Sequence, residues 1–399
     1  MPPDRRHRPL NVLLVGQSHF GGGLEKMVQN LGISLNREYG CRTVLFSFDQ
    51  ELNPEVEDYL KRNGVGLVVI QKGPRFSFKT VLRLIRLIRD ERIDVIHSHE
   101  TAPLMYSAVA RFGSLLFGRF PKLVHTQHSF VHLKVHPFIG LYDRIFQKLA
   151  NHLTAVSQQV VDEYRLMGVS RPRIHLVPNG VEFPEEMIGA GGKMAHRKDL
   201  LDGLTDHSER SFLQREIGST WIITLGRVHP RKGQDHVIKV WQALSPQTRT
   251  SSVLLIVGAE TFSGELDRLK EILGQGPDTQ RVVFFGGTSQ PIRWLQAADV
   301  FVSGSEYEGM PLAPLEACAA GLPLVLSNIQ GNRVLTGSAR FFPFENPEIG
   351  AEELEKCLEE RDHDPEQFEA RNFKRAMKVQ AEFTISAMAR TYLDLYRTS

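Results

Sequence analysis

The chain has 399 residues, 41% of them hydrophobic and 24% charged, and 48 Lys and Arg against 46 Asp and Glu leave a formal net charge of +2. That length is too great for one comfortable core, so two domains are expected. A balance so near neutral argues against nucleic acid as the main partner. Three cysteines, Cys41, Cys318 and Cys357, form no CxxC pair. They suggest neither a disulfide framework nor a zinc site, and they fit a reducing, cytoplasmic setting. The basic start of the chain is followed only by the short apolar run Val12–Val15, which Gly16 ends. No stretch approaches the ~18 apolar residues that span a bilayer.

In chain order, short β-branched runs alternate with longer amphipathic stretches. Strands are expected at Asn11–Val15, Thr43–Phe46, Gly66–Ile70, Val95–His97, Leu123–Thr126, Thr154–Val156 and His175–Val177. A second series reads Trp221–Leu225, Val253–Val257, Val282–Phe285, Val300–Ser303 and Leu324–Leu326. Helical periods lie between them, as in Phe78–Arg92 with Val81, Leu84, Ile85 and Ile88. Wholly apolar strands separated by helices mean parallel sheets covered on both faces. The fold class is therefore α/β, with a doubly wound, Rossmann-like domain occurring twice. Domains are expected at 1–183 and 219–376, with a polar, irregular linker over 184–218 and a closing helix over 377–399. Ligands of such sheets bind at the carboxyl ends of the strands, so two such domains would face each other across a cleft.

Five segments at strand ends carry chemistry. The loop Gly16–Glu25 opens a helix through Gly21, Gly22 and Gly23, where backbone can approach an anion closely, although it is neither a P-loop nor a GxGxxG fingerprint. A ligand-free glycine turn fits it equally. The segment Gly226–Gly233 carries Arg227 and Lys232, a fork and a point charge able to share one diphosphate. The segment Ser305–Glu316 places Glu308 in a loop and Glu316 on a helix with Pro311 in its first turn. Backbone N–H groups of Gly309, Met310 and Leu312 would point at an anion between the two carboxylates. Glu308 capping the helix and Glu316 as a surface charge are the plain alternatives. Histidines end two strands of the first half, at His97, His99, His125 and His128. Of these, His128 is favoured as a ligand contact and His99 weakly, with His97 and His125 read as structural.

These elements, in this order, resemble the retaining glycosyltransferases of family four. The resemblance rests on Gly22–Glu25, Asp94–His99, Thr126–His128, Val156-Ser157, Pro178–Glu182, Gly226-Arg227 with Lys232-Gly233, Gly258, Ala298–Val300 and Glu308 to Glu316-Ala317. It covers nearly the whole chain, from Val12 to Tyr396. It implies the GT-B fold, with the segment Ile385–Tyr396 as a final helix crossing back to the first domain. It also implies a nucleoside-diphosphate sugar as donor and a glycan or lipid-linked acceptor, in cell-surface polysaccharide or lipopolysaccharide synthesis, with no cofactor and no metal. Arg227 and Lys232 would hold the diphosphate, Glu316 the ribose, and Glu308 and His128 the donor sugar. The Gly22-Gly23 loop would lie under the phosphates beside the acceptor. Reaction on the front face would need no carboxylate nucleophile, the leaving phosphate helping to deprotonate the acceptor hydroxyl.

The long polar linker departs from the family pattern, and Ser327–Asn332 stands where a glycine-rich segment is common. Asp362-His-Asp364 spells a metal-binding triplet of another fold but follows a helix, so it carries no site. A sugar-nucleotide epimerase, a phosphorylase or a non-catalytic sugar-nucleotide-binding protein are the competing readings. Phe112–Lys122 and Phe130–Lys148 mix basic, aromatic and aliphatic residues. They suit peripheral contact with an anionic membrane on its cytoplasmic face, or equally the packing of ordinary helices.

Overall fold

The computed structural model describes residues 8–48, 51–73, 75–130, 137–170, 173–204 and 206–398, with the backbone alone for 137–141 and 277. The expectation for Phe130–Lys148 therefore falls in part outside the described residues. The chain divides into two compact units. One runs to Gly180 and resumes at Phe383, and the other comprises Val181–Glu382.

The first unit holds seven strands: β1 (Asn11–Gly16), β2 (Arg42–Phe48), β3 (Val65–Ile70), β4 (Val95–His99), β5 (Lys122–Gln127), β6 (His152–Ala155) and β7 (Ile174–Leu176). Their order is β3-β2-β1-β4-β5-β6-β7, every pairing parallel. Val12 to Val15 are wholly buried, as strands covered by helices on both faces must be. The helix Phe78–Asp90 buries Val81, Leu84 and Ile88, while Ile85 is half-buried.

The closing helix, Ile385–Arg397, is built into this unit. It packs along the helix Gly23–Tyr39 and buries Met388, Tyr392, Leu393 and Tyr396. The Tyr396 hydroxyl lies 2.7 Å from His97 Nδ1, and the Tyr392 hydroxyl 3.0 Å from Thr126 Oγ1. The helix before it, Pro365–Glu382, belongs to the second unit. The break between them falls at Phe383, where Thr384 caps the last helix through the Ala387 N–H.

The second unit holds β8 (Thr220–Leu225), β9 (Ser252–Val257), β10 (Val282–Phe285), β11 (Val300–Ser303), β12 (Leu324–Ser327) and β13 (Arg340–Phe342). Their order is β10-β9-β8-β11-β12-β13, again all parallel. Ile222, Trp241, Leu254, Val300, Leu354 and Phe368 belong to its core cluster. The three-residue β13 is too short to show in the sequence pattern.

The stretch expected to be an irregular linker is largely helical, with helices at Ala190–Asp202 and His207–Arg215. One buried cation explains the first of them. Arg197 donates to the carbonyls of Ala297, Ile217 and Ser219 and to Asp299 Oδ2 at 2.6 Å, with its guanidinium 4.4 Å from the Trp221 ring. Leu200, Leu201 and Leu213 are buried beside it. A helix anchored by one arginine has no apolar stripe to read.

Candidate active site

Both sheets reverse their strand order once, between β1 and β4 in the first unit and between β8 and β11 in the second. Loops leaving the carboxyl ends of those neighbouring strands flank a crevice in which ligands of such sheets bind. Every segment singled out above lies on or beside one of these loops.

In the second unit, the loops after β8 and β11 touch at two glycines. A Cβ on Gly233, whose φ is +62°, would stand 1.8 Å from the Gly304 carbonyl oxygen. Only glycine permits that approach, and it brings Lys232 to Glu308. The lysine Nζ lies 2.8 Å from Oε1 and 3.1 Å from Oε2 of Glu308, and the Ser305 hydroxyl donates to Oε1 at 2.8 Å. The carboxylate is mostly buried, with 14% of its side chain exposed, while the lysine keeps 35%. Glu308 is thus held by a cation and a hydroxyl, not spent as a helix cap.

The helix beyond it begins one residue later than expected, at Leu312, with Pro311 in the cap position and no side chain capping it. Proline has no N–H to offer, so beyond it the next backbone donors are those of the helix's first turn. Gly309 and Met310 are buried, Leu312 is half-buried, and Glu316 is half-buried on this helix. Arg227 stands exposed and pairs with no described carboxylate. Its carbonyl accepts from Gln234 Nε2 at 2.9 Å, which fixes the loop behind it.

The segment Ser327–Asn332 acquires a place here. A Cβ on Gly331 would fall 2.1 Å from the Glu308 carbonyl oxygen. Ser327 donates to the Ser305 carbonyl at 2.6 Å, and buried Asn332 donates back to the Ser327 carbonyl. This segment is the floor under Glu308, a contact that spacing in the sequence could not reveal. Asp362 and His363 end the helix Pro347–His363, and Asp364 follows it. Among the described residues no group of three His, Cys, Asp or Glu side chains is arranged to hold a metal.

In the first unit, Gly22 precedes the helix Gly23–Tyr39 with extended backbone and no side-chain cap, leaving the helix start open like that after Pro311. His97 is wholly buried, between Tyr396 and Thr126, each at 2.7 Å. His125 is buried against Ser98 and Gln127. His99 and His128 form a pair: His99 Nδ1 lies 3.1 Å from His128 Nε2. Sequence reading missed this contact, although His97 and His99, two apart on one strand, had to share a face.

Burial, then neighbouring histidines, holds His99 well below the usual imidazole range and brings His128 to about 3. Both rings are therefore neutral, and one of them donates to the other. His99 Nε2 is buried with no hydrogen-bond partner. An orphaned buried N–H is rarer than an orphaned acceptor, so that nitrogen carries the lone pair. The network then assigns the His99 proton to Nδ1, donating to His128 Nε2, and leaves His128 an Nδ1–H to donate.

Residues 21–183 match the model of Glycosyltransferase Family 4, and residues 208–375 that of Glycosyl transferases group 1. The chain belongs to this glycosyltransferase family. An Escherichia coli UDP-Gal:alpha-D-GlcNAc-diphosphoundecaprenol alpha-1,3-galactosyltransferase is 28% identical over 268 residues, which are 65% of this chain and 64% of that protein. The match thus spans just under two thirds of that relative's length. The alpha-galactosylglucosyldiacylglycerol synthase of Streptococcus pneumoniae is 24% identical over 354 residues, 82% of this chain and 86% of the synthase. Among solved structures, Anabaena Alr3699/HepE in complex with UDP and glucose superposes with a TM-score of 0.77 at 18% identity, covering 98% of this chain and all of that one. The lipopolysaccharide glycosyltransferase WaaG gives 0.67 at 14% identity, covering 97% of this chain and 100% of WaaG. At such identities the structures speak for the fold alone, which is GT-B.

Proposed function

We propose that this glycosyltransferase moves a sugar from a nucleoside-diphosphate sugar, with uridine as the expected base, to a hydroxyl of a glycan or lipid-linked acceptor, with retention of configuration. The observation that carries the reading is the second unit's switch point. There a lysine–carboxylate pair, an exposed arginine and an uncapped helix start converge. The exposed fork of Arg227, the Lys232 ammonium and the N–H groups of Gly309, Met310 and Leu312 suit a diphosphate whose charge grows as the glycosidic bond breaks.

Glu308, fixed by Lys232 and Ser305, is oriented to accept from sugar hydroxyls. Glu316 is assigned to the ribose. His128 offers the donor sugar an Nδ1–H, and the Gly22-Gly23 loop serves the phosphates beside the acceptor. With cations and helix N–H groups neutralising the leaving group, transfer needs no metal and no cofactor in this proposal. The leaving phosphate helps take the acceptor proton, and the protein's task is charge stabilisation and positioning. The relatives' own donors and acceptors, a UDP-sugar and lipid-borne glycans, support the same class and a place in surface polysaccharide or lipopolysaccharide synthesis.

Donor binding is tested by melting the protein with UDP, UDP-glucose, UDP-galactose and the guanosine and thymidine counterparts. A ligand at 100-fold its Kd should stabilise the protein by about 2.7 kcal/mol. Nucleotide release that depends on acceptor then separates transfer from mere binding. No shift with any nucleoside diphosphate would sink the proposal.

A lipid-borne acceptor calls for a membrane-facing surface, and the first unit offers one. The helix Phe78–Asp90 and the single turn Ser114–Phe117 expose Phe78, Leu82, Leu115, Leu116 and Phe117, with Leu116 86% and Phe78 77% accessible. Arg83 and Arg86 are exposed on the same helix and pair with no described carboxylate, and Arg89 sits 5.3 Å over the Phe117 ring. No helix among the described residues is long and apolar enough to cross a membrane. A basic apolar face of this kind lies on anionic lipid. The protein is expected to float with vesicles containing phosphatidylglycerol, weakly with neutral ones, and poorly after Leu116→Asp with Phe117→Asp. Equal sedimentation with and without vesicles would end the membrane part of the proposal.

A further inference from the structure

Away from the switch point of the second unit, three arginines are drawn together with too little acid to balance them. A cavity of about 250 Å³ opens at the amino ends of β12 and β13, where Leu324 and Arg340 begin those strands. Cys357 and Glu360 line it from the helix Pro347–His363, and Phe368, Arg371 and Arg375 from the helix Pro365–Glu382. Ser327, under the Glu308 loop, ends the same four-residue β12, about 10 Å along the strand. The cavity and the donor crevice therefore lie at opposite edges of one sheet.

The fold gathers these charges without neutralising them. Arg371 and Arg375 stand four apart on one helix and share a face, where like charges repel. Glu360 accepts from Arg340, and from Arg371 at 2.5 Å, so one carboxylate serves two cations. Arg340 also donates to Glu353 at 2.9 Å, but Lys356 claims that acid at the same distance. Arg375 pairs with no described carboxylate and donates to the neutral amide oxygen of Asn372 at 3.1 Å. It is half-buried, and burial, then the charges of Arg371 and Arg340, hold it below the usual arginine range. The Cys357 thiol supplies no counter-charge, because burial pushes it up to about 11 and keeps its proton on. The lining thus carries three guanidiniums and one carboxylate, an excess of two positive charges.

A solvated basic surface would splay such arginines into water. Here they line one concavity, and Arg371 is held 5.4 Å from the Phe368 ring. Cations taken partly out of water ordinarily keep an acid partner. Planar guanidinium forks around a cavity match the oxygens of a phosphoryl group, and the excess charge matches its dianion. The volume falls below the ~300–1,000 Å³ of drug-sized ligand sites, so the ligand is small.

We propose that Arg340, Arg371 and Arg375 form a binding site for a phosphoryl dianion, inorganic phosphate or a small phosphate monoester, on the edge of the second unit opposite the donor crevice. The site does not depend on the transferase reading and takes no part in sugar transfer. An anion held by all three arginines ties β13 to the helix Pro365–Glu382.

The test is calorimetric titration of the full chain at pH 8 with sodium phosphate and, separately, with glucose 1-phosphate, the ionic strength being fixed with chloride. Saturable binding is expected for the wild type. Arg375→Gln and Arg371→Gln should each weaken it about 10- to 100-fold, the loss expected for a hydrogen bond between charged groups. Arg371 is exposed, so its variant should fold even where Arg375→Gln does not. Arg375→Lys, a charge without the fork, should fall between. Arg227→Ala, at the donor crevice, should change the affinity less than twofold. Tighter binding of the ester assigns the site to phosphate esters and tighter binding of phosphate to the free ion, and either supports it. A wild type that takes up neither probe at about 10 mM, or affinities within twofold of the wild type in both glutamine variants, would overturn the site. Binding that survives both of them and is lost in Arg227→Ala would overturn it too, by placing the ion at the donor crevice.

Discussion

Glu308→Ala is expected to lower kcat/KM for the sugar nucleotide by about 100- to 1,000-fold, the range seen when one preorganised polar contact to a reacting group is removed. The same change should leave stability nearly untouched. Its ion pair with Lys232 is partly open to water, because the lysine side chain is 35% exposed, and pairs of that kind are worth about 0–1 kcal/mol. Activity and melting temperature should therefore separate, which a merely structural carboxylate would not allow. Lys232→Ala should behave alike, and the double variant should lose less than the product of the two single losses, because each residue positions the other. Arg227→Ala, at an exposed side chain paired with no described carboxylate, should cost turnover and no stability. Steady-state kinetics beside thermal melts on the four proteins decides the matter. Turnover within twofold of the wild type in Glu308→Ala or Arg227→Ala would show the site to be misassigned.

How much of this was legible in the sequence depends on the range of the contact involved. Twelve strands could be read because buried parallel strands are continuous apolar runs, and β1 and β8 carry such runs plainly. The glycines of Gly226–Gly233 and the helix after Pro311 follow strands directly, so rules for α/β sheets placed them before any geometry was known. The pairing of Lys232 with Glu308 was hidden. It joins residues 76 apart and depends on Gly233 meeting Gly304, a contact between loops that no periodicity encodes. The pairing of His99 with His128, 29 residues apart, was hidden likewise. The helix Ala190–Asp202 failed for a different reason: Gly191 and Gly192 near its start propagate a helix poorly, and its anchor is Arg197, a residue type read as surface.

The first unit is expected to be acid-labile, losing stability steeply as the pH falls from 6.5 towards 5. Histidine in an unfolded chain titrates near 6.5. In the fold, burial holds His97 and His99 well below that value and His128 at about 3, and burial also lowers His19. Below pH 6.5 the unfolded chain therefore takes up protons that the native unit refuses. Stability is complete above 6.5 and is lost as the pH falls towards the native pKa values; for His128 the window runs down to about 3. Each such group costs about 1.4 kcal/mol per pH unit inside the window. Three of them cost about 4 kcal/mol per unit, comparable with the whole stability of many domains. Calorimetry of the full chain at pH 7.5, 6.0 and 5.0 should show one transition falling sharply and the other much less. His128→Asn should make that fall shallower by about one proton while lowering activity, since the same neutral ring supplies the Nδ1–H assigned to the donor sugar. Both transitions holding steady between pH 7.5 and 5.0 would mean that these imidazoles are not kept neutral by burial, and the donor role given to His128 would fall with them.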